Sequence, residues 1–381
     1  MVPLSFVAKG EDDIVSNNYN FLDLSLEELL NVKVSTGALT EVLVKDSPSA
    51  ITVIRQDQIK ISPAKNLSSL IEQHVTGLIV MEHSEGNKIG IRGLIAAENY
   101  KLLLLVNGKN ITNMVYEGAI LELDQWDLDD IEKIEVVRGP GSVTYGTGAI
   151  AGVINIITKK AKGEYPKTSI NITANPSYRS KGGNLQYSET ISDIGIYGFL
   201  SYRKTKGYEN PDYFVLNSTE TSDIRYVGKY PNDISEPLDY LADGLNRPQI
   251  KAHIDLSFSD NINVWARYTQ SGQTHSFRAK KLNPVSNKLI NHRKVDIRGF
   301  ILSGDYLYEL GDSSHLKVSL SFDNQEYIRR DFQNNGYAED HINNVNNYAF
   351  SQQRLVGSIL YDYTNNTNTN MTLPTNKEEQ R

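Results

Sequence analysis

From about residue 161 onward, apolar and polar residues alternate along the chain with a period of two. The segment IKAHIDLSF, from Ile250 to Phe258, has an apolar residue at every second position and Lys, His, Asp and Ser between them. The segments IGIYGFLSY, INVWARYTQ and LKVSLSFD repeat this alternation. Because successive side chains of a strand point to opposite faces, each segment predicts a β-strand with one apolar and one polar face.

The connections between these strands are expected to alternate between short and long. Short turns are expected at residues 192–193, 259–261 and 311–314, and long connections at residues 204–247, 271–293 and 329–352. Strands of about ten residues that alternate apolar-out and polar-in, joined by alternating short and long connections, are typical of a transmembrane β-barrel. About eight such strands can be counted in this sequence. A soluble antiparallel sandwich also alternates, but polar faces rich in Lys, Asp and His and tyrosine-rich apolar faces favour the barrel.

Residues 44–160 have a different pattern, which predicts a compact α+β domain. A strand is expected from Ala50 to Ile54. The segment NLSSLIEQHVTG has apolar residues at helical spacing, with Asn66 as N-cap and Gly77 as the stop. Asn107-Gly108 lies between two apolar runs and predicts a hairpin.

Residues 1–43 form an extension before this domain. The segment DLSLEELL, from Asp23 to Leu30, predicts a short helix, and NVKVSTGA, from Asn31 to Ala38, predicts a short exposed strand. The first residues lack the basic region of a signal peptide, so an intact signal peptide is not visible.

Composition excludes several classes of protein. The net charge of −7 argues against nucleic-acid binding, and the absence of cysteine removes disulfides and thiolate chemistry. No apolar run reaches the length of about 18 residues that a membrane-spanning helix needs. The 22 tyrosines against 10 phenylalanines suit a surface at a bilayer interface, where a ring is half apolar and half wet.

The segment IEKIEVVRGPGSVTYGTGAIAGVINIITKK, from Ile131 to Lys160, resembles the end of the plug domain of TonB-dependent outer-membrane receptors. The segments SPSAITVI, LIEQHVTGLIV, IGIRG and LLLLVNGKNI occur in the order of that family, and LSLEELLNVKVSTGA resembles its segment before the plug. The resemblance implies an α+β plug domain at residues 44–160, followed at residues 161–381 by the antiparallel strands of a transmembrane β-barrel. In the family, the plug binds a scarce nutrient and is remodelled when an energised inner-membrane complex pulls on it.

The resemblance also implies a TonB box, the segment that such a receptor offers to the periplasmic end of TonB. A mobile strand binds the edge of a partner's sheet through its main chain and tolerates sequence variation. The segment departs from the most familiar form of the box, and a passive linker is the alternative interpretation. The candidate residues are Val32, Lys33, Val34, Ser35 and Thr36.

Two arginines match those that hold the plug inside the barrel in this family. Arg92 lies in IRG and Arg138 lies in VRGP. In the family, these arginines pair with barrel glutamates, and the forked guanidinium suits such contacts. The glutamates cannot be identified in this sequence.

The resemblance places substrate at three outer loops of the plug, MEHSEGNK, LIAAENYK and TNMVYEGA. Ordinary solvated loop residues are the alternative for each position. No second histidine lies near His83 at the spacing of metal ligands, so no metal site is expected. The candidate substrate-binding residues are His83, Glu98, Asn99 and Tyr116.

The number of strands is smaller than the resemblance requires. Plugged transporters of this kind have about 22 strands, and a barrel of about eight has no room for a plug. An open sheet in lipid leaves backbone groups unpaired at its edges, so these strands alone are not expected to insert stably. The expectation is the N-terminal part of a receptor, with an incomplete barrel.

The leading hypothesis is therefore a receptor in the outer membrane of a Gram-negative bacterium that takes up a ferric siderophore. Cobalamin, haem and a carbohydrate are alternative substrates, and a non-transporting remnant and a passive channel are alternative classes. The expected partners are TonB with its inner-membrane energising complex, outer-membrane lipid and an iron chelate. No nucleophile elbow or phosphate-binding loop is present, so neither an enzyme nor a resident cofactor is expected.

Overall fold

The computed structural model describes most of the chain from residue 49 onward, together with two short strands before it. The described residues are 33–34, 42–43, 49–64, 66–81, 86–141, 145, 147–161, 167–176, 180–205, 214–216, 226–229, 242–243, 248–259, 261–275, 292–311, 314–333, 344–364 and 370–380. Within these ranges, no helix is both long and apolar enough to cross a membrane.

The first part of the chain contains the α+β domain predicted at residues 44–160, here called the plug because of that resemblance. Its main sheet has the strand order β3-β8-β9-β6-β7. Strands β6 and β9 are parallel, and the other neighbours in this sheet are antiparallel. Two smaller pairs, β1-β2 and β4-β5, stand outside it. The strands are β1 Lys33–Val34, β2 Val42–Leu43, β3 Ile51–Arg55, β4 Leu78–Met81, β5 Lys88–Ile91, β6 Leu102–Val106, β7 Lys109–Asn110, β8 Ile131–Arg138 and β9 Gly152–Thr158.

Two helices pack on this sheet. Helix α1 is Gln56–Ile61, which the sequence did not predict, and helix α2 is Leu67–His74. The predicted N-cap of α2 is confirmed, because the side chain of Asn66 accepts a hydrogen bond from the backbone N–H of Ser69 at 2.9 Å. The helix predicted from Asp23 to Leu30 lies outside the described residues.

The predicted hairpin at Asn107-Gly108 is confirmed. Both residues have positive φ, 49° and 77°, and they join β6 to β7. This is the backbone of a two-residue hairpin turn, which asparagine and glycine adopt at low cost. Strand β6 is buried along its whole length and lies between β9 and β7 in the sheet.

The second part of the chain is one antiparallel meander, here called the wall. Its strand order is β10-β11-β12-β16-β17-β18-β19-β20-β21, with a short strand β15 paired beside β17 and a separate pair β13-β14. The strands are β10 Lys167–Asn175, β11 Ser180–Ile191, β12 Ile194–Thr205, β13 Phe214–Leu216, β14 Tyr226–Lys229, β15 Ala242–Asp243, β16 Gln249–Phe258, β17 Ile262–His275, β18 His292–Gly311, β19 Ser314–Gln333, β20 Asn344–Thr364 and β21 Asn370–Gln380.

The wall sheet has 10 strands, against about eight expected from the pattern typical of barrels. The two that the sequence did not indicate are β15 and β21, which lie in polar segments without apolar alternation. Strands β18 and β19 have 20 residues each, longer than predicted. Across the described residues, the path of strands runs from β10 to β21 without closing on itself.

The wall buries its polar face and exposes its apolar face, the reverse of a sheet in a soluble protein. On β16, Lys251 is 0% exposed while Ile254 is 45% exposed. The same inversion is found on the other predicted strands, with Leu200 and Leu320 on the exposed face. The predicted alternation is thus confirmed: polar residues face the plug, and apolar residues form the outer surface, as they do in a sheet that faces lipid.

The predicted rhythm of connections is also confirmed. At one end of the wall, two or three residues join β11 to β12, β16 to β17 and β18 to β19. At the opposite end, the connections after β12, β17 and β19 are longer. This second end is called the long-connection end below.

Candidate functional site: the interface between plug and wall

The centre of the interface is a buried cluster of four charged residues. Glu122 and Asp130 belong to the plug, Lys251 lies on β16 and Arg267 lies on β17. The guanidinium of Arg267 donates from Nε to Oε1 of Glu122 at 2.7 Å and from Nη2 to Oε2 at 3.0 Å. It also donates from Nη1 to Asp130, whose other oxygen is 3.1 Å from Nζ of Lys251. All four side chains are at most 2% exposed.

Charge balance explains how this cluster tolerates burial. Two carboxylates face two cations, and Lys251 also donates to the backbone carbonyl of Asp127. Burial alone would raise the pKa of Asp130, but the charges of Arg267 and Lys251 outweigh it and hold that pKa below its ordinary value. Asp130 is therefore a carboxylate over the whole physiological range of pH.

A third carboxylate of the plug, that of Asp124, has an electrostatic environment opposite to that of Asp130. Asp124 is buried against β17, where its Oδ2 accepts a hydrogen bond from the backbone N–H of Gly272 at 3.2 Å. Burial raises the pKa of Asp124 to about 6, and the nearby charge of Glu122 adds to the shift. Gln249 donates to the backbone carbonyl of Asp124 at 2.9 Å, so the wall binds this turn through both backbone and side chain.

Other wall strands contact the plug on either side of the charged cluster. Nζ of Lys109 lies 2.7 Å from Oδ1 of Asp305 on β18. Arg354 on β20 pairs with Asp323 at 2.7 Å and also donates to the backbone carbonyl of Asn110. The plug residues in these contacts, like Glu122 and Asp130, all lie within residues 109–130, which we call the docking segment.

Apolar packing completes the docking. On the inner face of the wall, Trp265, Val295, Ile297 and Ile301 belong to the same buried cluster as the plug core. Leu121 of the docking segment packs directly against Gly299, where an added Cβ would lie 2.5 Å from Cδ2 of the leucine. A larger residue at this point of β18 would force the side chain of Leu121 to shift.

Near the long-connection end, plug and wall together form a cluster of aromatic rings. Tyr116 of the plug stacks on Phe350 with ring centroids 4.3 Å apart, and its ring lies 4.8 Å from that of Tyr327. Arg329 donates from Nη1 to the hydroxyl of Tyr116 at 2.9 Å, and its guanidinium lies 4.4 Å above the ring of Tyr348. We call these five residues the aromatic–arginine cluster.

Residues 43–153 match the model of the TonB-dependent Receptor Plug Domain family. The "Probable TonB-dependent siderophore receptor PirA" of Acinetobacter baumannii is 28% identical over 369 residues, which are 92% of this chain and 46% of that protein. The iron-regulated outer membrane virulence protein of Vibrio cholerae serotype O1 is 34% identical over 309 residues, 76% of this chain and 43% of that protein. This chain therefore contains a TonB-dependent receptor plug domain and is similar to such receptors over most of its length.

Solved structures of TonB-dependent receptors share its fold. A mutant of the ferric enterobactin receptor of Pseudomonas aeruginosa superimposes with a TM-score of 0.59 at 17% sequence identity. The match covers 92% of this chain and 51% of that receptor. The chain is therefore a plug domain followed by antiparallel barrel strands, and it spans about half the length of the relatives it matches.

The substrate-binding candidates predicted from the TonB-dependent receptor pattern lie in different surroundings. Tyr116 is half-buried in the aromatic–arginine cluster, and Glu98 is exposed. Asn99 is buried, and its side-chain amide donates to the carbonyls of Asn87 and Ala119 and accepts from the N–H of Ile89. The side-chain oxygen and nitrogen of Asn99 are therefore both hydrogen-bonded to backbone groups of the plug. His83 lies outside the described residues.

The two arginines predicted to bind barrel glutamates lie on one side of the plug. Arg92 is exposed at a turn with φ of 52°, and its Nη1 lies 3.9 Å from the Cβ position of Gly139, next to Arg138. Arg138 donates to the carbonyl of Thr76 at 3.4 Å. Among the residues that the structure describes, neither arginine forms an ion pair with a wall carboxylate, so this latch remains a prediction.

Part of the predicted TonB box is described. Lys33 and Val34 form β1 and pair with Leu43 and Val42 of β2. The remaining positions, Val32, Ser35 and Thr36, lie outside the described residues. The segment thus contains extended backbone at the predicted place, and its role as a TonB box stays a prediction.

The sequence did not identify the charged cluster that joins plug to wall. Its carboxylates come from the plug and its cations from the wall, the reverse of the polarity predicted for Arg92 and Arg138. A signal was available, since Lys251 and Arg267 are inward-facing cations on two adjacent strands. Two unpaired cations on a buried face require carboxylates from the domain that covers them.

Proposed function

We propose that this chain is part of a TonB-dependent outer-membrane receptor that takes up a ferric siderophore. The observation that carries the proposal is the aromatic–arginine cluster, which the plug and two wall strands build together. Loops at the long-connection end of outer-membrane barrels are extracellular, so this cluster would face incoming substrate.

The chemistry of the cluster suits an anionic iron chelate with aromatic rings. A ferric tris-catecholate carries net negative charge and presents flat rings at its surface. Stacking on Tyr116 and Phe350 would hold the rings, and Arg329 would attract the charge. The relatives named as siderophore receptors support the same substrate class.

The remaining partners follow from the family. TonB would take up the segment Val32 to Thr36 by adding it as a strand to its own sheet. Arg92 and Arg138 would bind carboxylates on barrel strands other than those described. Glu98, exposed on a neighbouring loop, and His83 complete the proposed substrate-binding set.

Uptake in the source bacterium tests this proposal directly. The gene is deleted, and iron-starved cells are given radioactive iron as a tris-catecholate or a hydroxamate, or radioactive cyanocobalamin. We expect uptake of the catecholate to fall and to return when the gene is restored, with cobalamin uptake unchanged. Loss of cobalamin uptake alone, or unchanged uptake of every iron chelate, would overturn the proposal.

A further inference from the structure

Tyr116 stands on a loop whose backbone conformation has to be held in place. The next two residues, Glu117 and Gly118, have φ of 66° and 72°. A left-handed conformation is costly for a residue such as glutamate and persists only where the surroundings impose it. Asn113 shapes the near side of the loop, because its side-chain oxygen accepts the N–H groups of Val115 and Tyr116, both at 2.9 Å.

The far side of the loop is pressed against the plug core. The N–H of Asn99 donates to the carbonyl of Glu117 at 3.0 Å. At Gly118, an added Cβ would lie 2.5 Å from the backbone carbon of Asn99, so the two chains touch there. The position of the loop is thus defined relative to Asn99, whose own amide is tied to three backbone groups.

A buried ion pair fixes the residue directly after Tyr116. The ammonium group of Lys88, on β5, binds the carboxylate of Glu117. The two side chains are 0% and 1% exposed. Burying two charges brings little net stability, so such a pair is better explained by the one geometry that it selects.

We propose that Lys88 and Glu117 are positioning residues for ligand binding: they fix the loop so that the ring of Tyr116 lies between the wall aromatics and Arg329. Neither residue belongs to the aromatic–arginine cluster, and both act through Tyr116. The inference rests on the proposed function, since it concerns the same ligand site.

The test uses a variant that removes both charges together. Lys88→Met alone would leave Glu117 buried without its partner and endanger folding, whereas Lys88→Met with Glu117→Gln leaves no stranded charge. Lys133→Met with Glu135→Gln serves as the matched control, because Lys133 is another plug lysine bound to a buried carboxylate, that of Glu135 at 2.7 Å, and this variant also removes both charges. Binding of a ferric tris-catecholate to the full chain in detergent micelles is measured for each protein.

A double-mutant cycle with Tyr116→Ala separates positioning from general destabilisation. Loss of the ring contacts is expected to weaken binding about tenfold, and the Lys88/Glu117 variant to weaken it about as much. Because the pair acts through Tyr116, combining all three changes should give about the same tenfold loss, where independent effects would multiply to about a hundredfold. Multiplying effects, or wild-type affinity in the Lys88/Glu117 variant, would overturn the inference.

Hydrogen exchange without ligand keeps the two proposals distinguishable. The amides of Val115 and Tyr116 should exchange faster in the Lys88/Glu117 variant than in the wild type or the Lys133/Glu135 control, while β6 remains protected. If the wild-type chain binds no iron chelate but exchange changes in this way, the proposed ligand is wrong and the positioning of the loop stands. Unchanged exchange would overturn the positioning itself.

Discussion

Arg267 of the wall binds Glu122 of the plug through two parallel hydrogen bonds, 2.7 and 3.0 Å long, and both side chains are 2% exposed. The two residues are 145 positions apart in sequence. The same guanidinium also reaches Asp130, so one wall arginine connects both ends of the segment from residue 122 to residue 130. This arginine is the central attachment of the plug.

Removing that arginine should loosen the plug. Arg267→Met leaves two buried carboxylates with only Lys251 beside them, and breaking such a pair costs about 3 to 5 kcal/mol. The free energy of unfolding in detergent micelles measures the loss. Arg55→Met is the control, because the Arg55–Asp57 pair of the plug is partly exposed and its loss should cost about 1 kcal/mol or less. Equal losses in the two variants would contradict the central role of Arg267.

Close packing of Leu121 on β18 gives a second prediction. Gly299→Ala places a methyl group against that leucine and should destabilise the chain by about 1 to 3 kcal/mol. Leu121→Ala by itself removes a buried side chain and should cost about 2 to 5 kcal/mol. In that background Gly299→Ala should cost less than it does in the wild type, because the smaller side chain makes room. Gly304→Ala on the same strand is the matched control, since its Cβ would lie 3.9 Å from the nearest side-chain atom. A Gly299→Ala protein as stable as Gly304→Ala would show that the plug does not approach this strand so closely.

The raised pKa of Asp124 predicts a pH-dependent attachment. Its ordinary pKa of 3.8 rises to about 6 in the folded protein, so the folded state holds a proton that the unfolded state releases between these values. Stability should therefore fall as pH rises from about 4 to about 6, by about 3 kcal/mol in total, and stay low above that range.

Asp124→Asn isolates this effect from other titrating groups. The variant should be more stable than the wild type at pH 7.5, and the difference should shrink towards pH 4. Unfolding free energies of both proteins across this range give the comparison. A difference that does not vary with pH would show that Asp124 is not the titrating group.

The alternation of side chains was enough to predict the architecture of the wall. Lys251 and Ile254 fall on opposite faces of β16 as the period of two requires. The full length of β20 was not predictable in this way, because its first residues, NVNNYAFSQQ, contain few apolar side chains and resemble a loop. Backbone pairing with β19 in antiparallel register makes them a strand.

The site was predicted less completely than the fold, because it depends on how two domains meet. Family resemblance indicated Tyr116 and the loop that carries it. Phe350, which stacks on Tyr116, lies more than two hundred residues further along the chain. The position of Phe350 depends on the register of β19 with β20. Asn99 shows the converse: a polar residue in an outer loop looks like a ligand contact in sequence, and its hydrogen bonds to backbone groups become visible only in three dimensions.

Binding of a ferric tris-catecholate to the chain in detergent micelles, followed by quenching of tryptophan fluorescence, tests the proposed ligand site most directly. The wild type should bind saturably and should not bind cyanocobalamin. Tyr116→Ala with Arg329→Gln should weaken binding at least about tenfold, since it removes both the ring and the cation. Equal affinity of the wild type and this double variant, or preferential binding of cyanocobalamin, would contradict a ferric-siderophore site formed jointly by plug and wall.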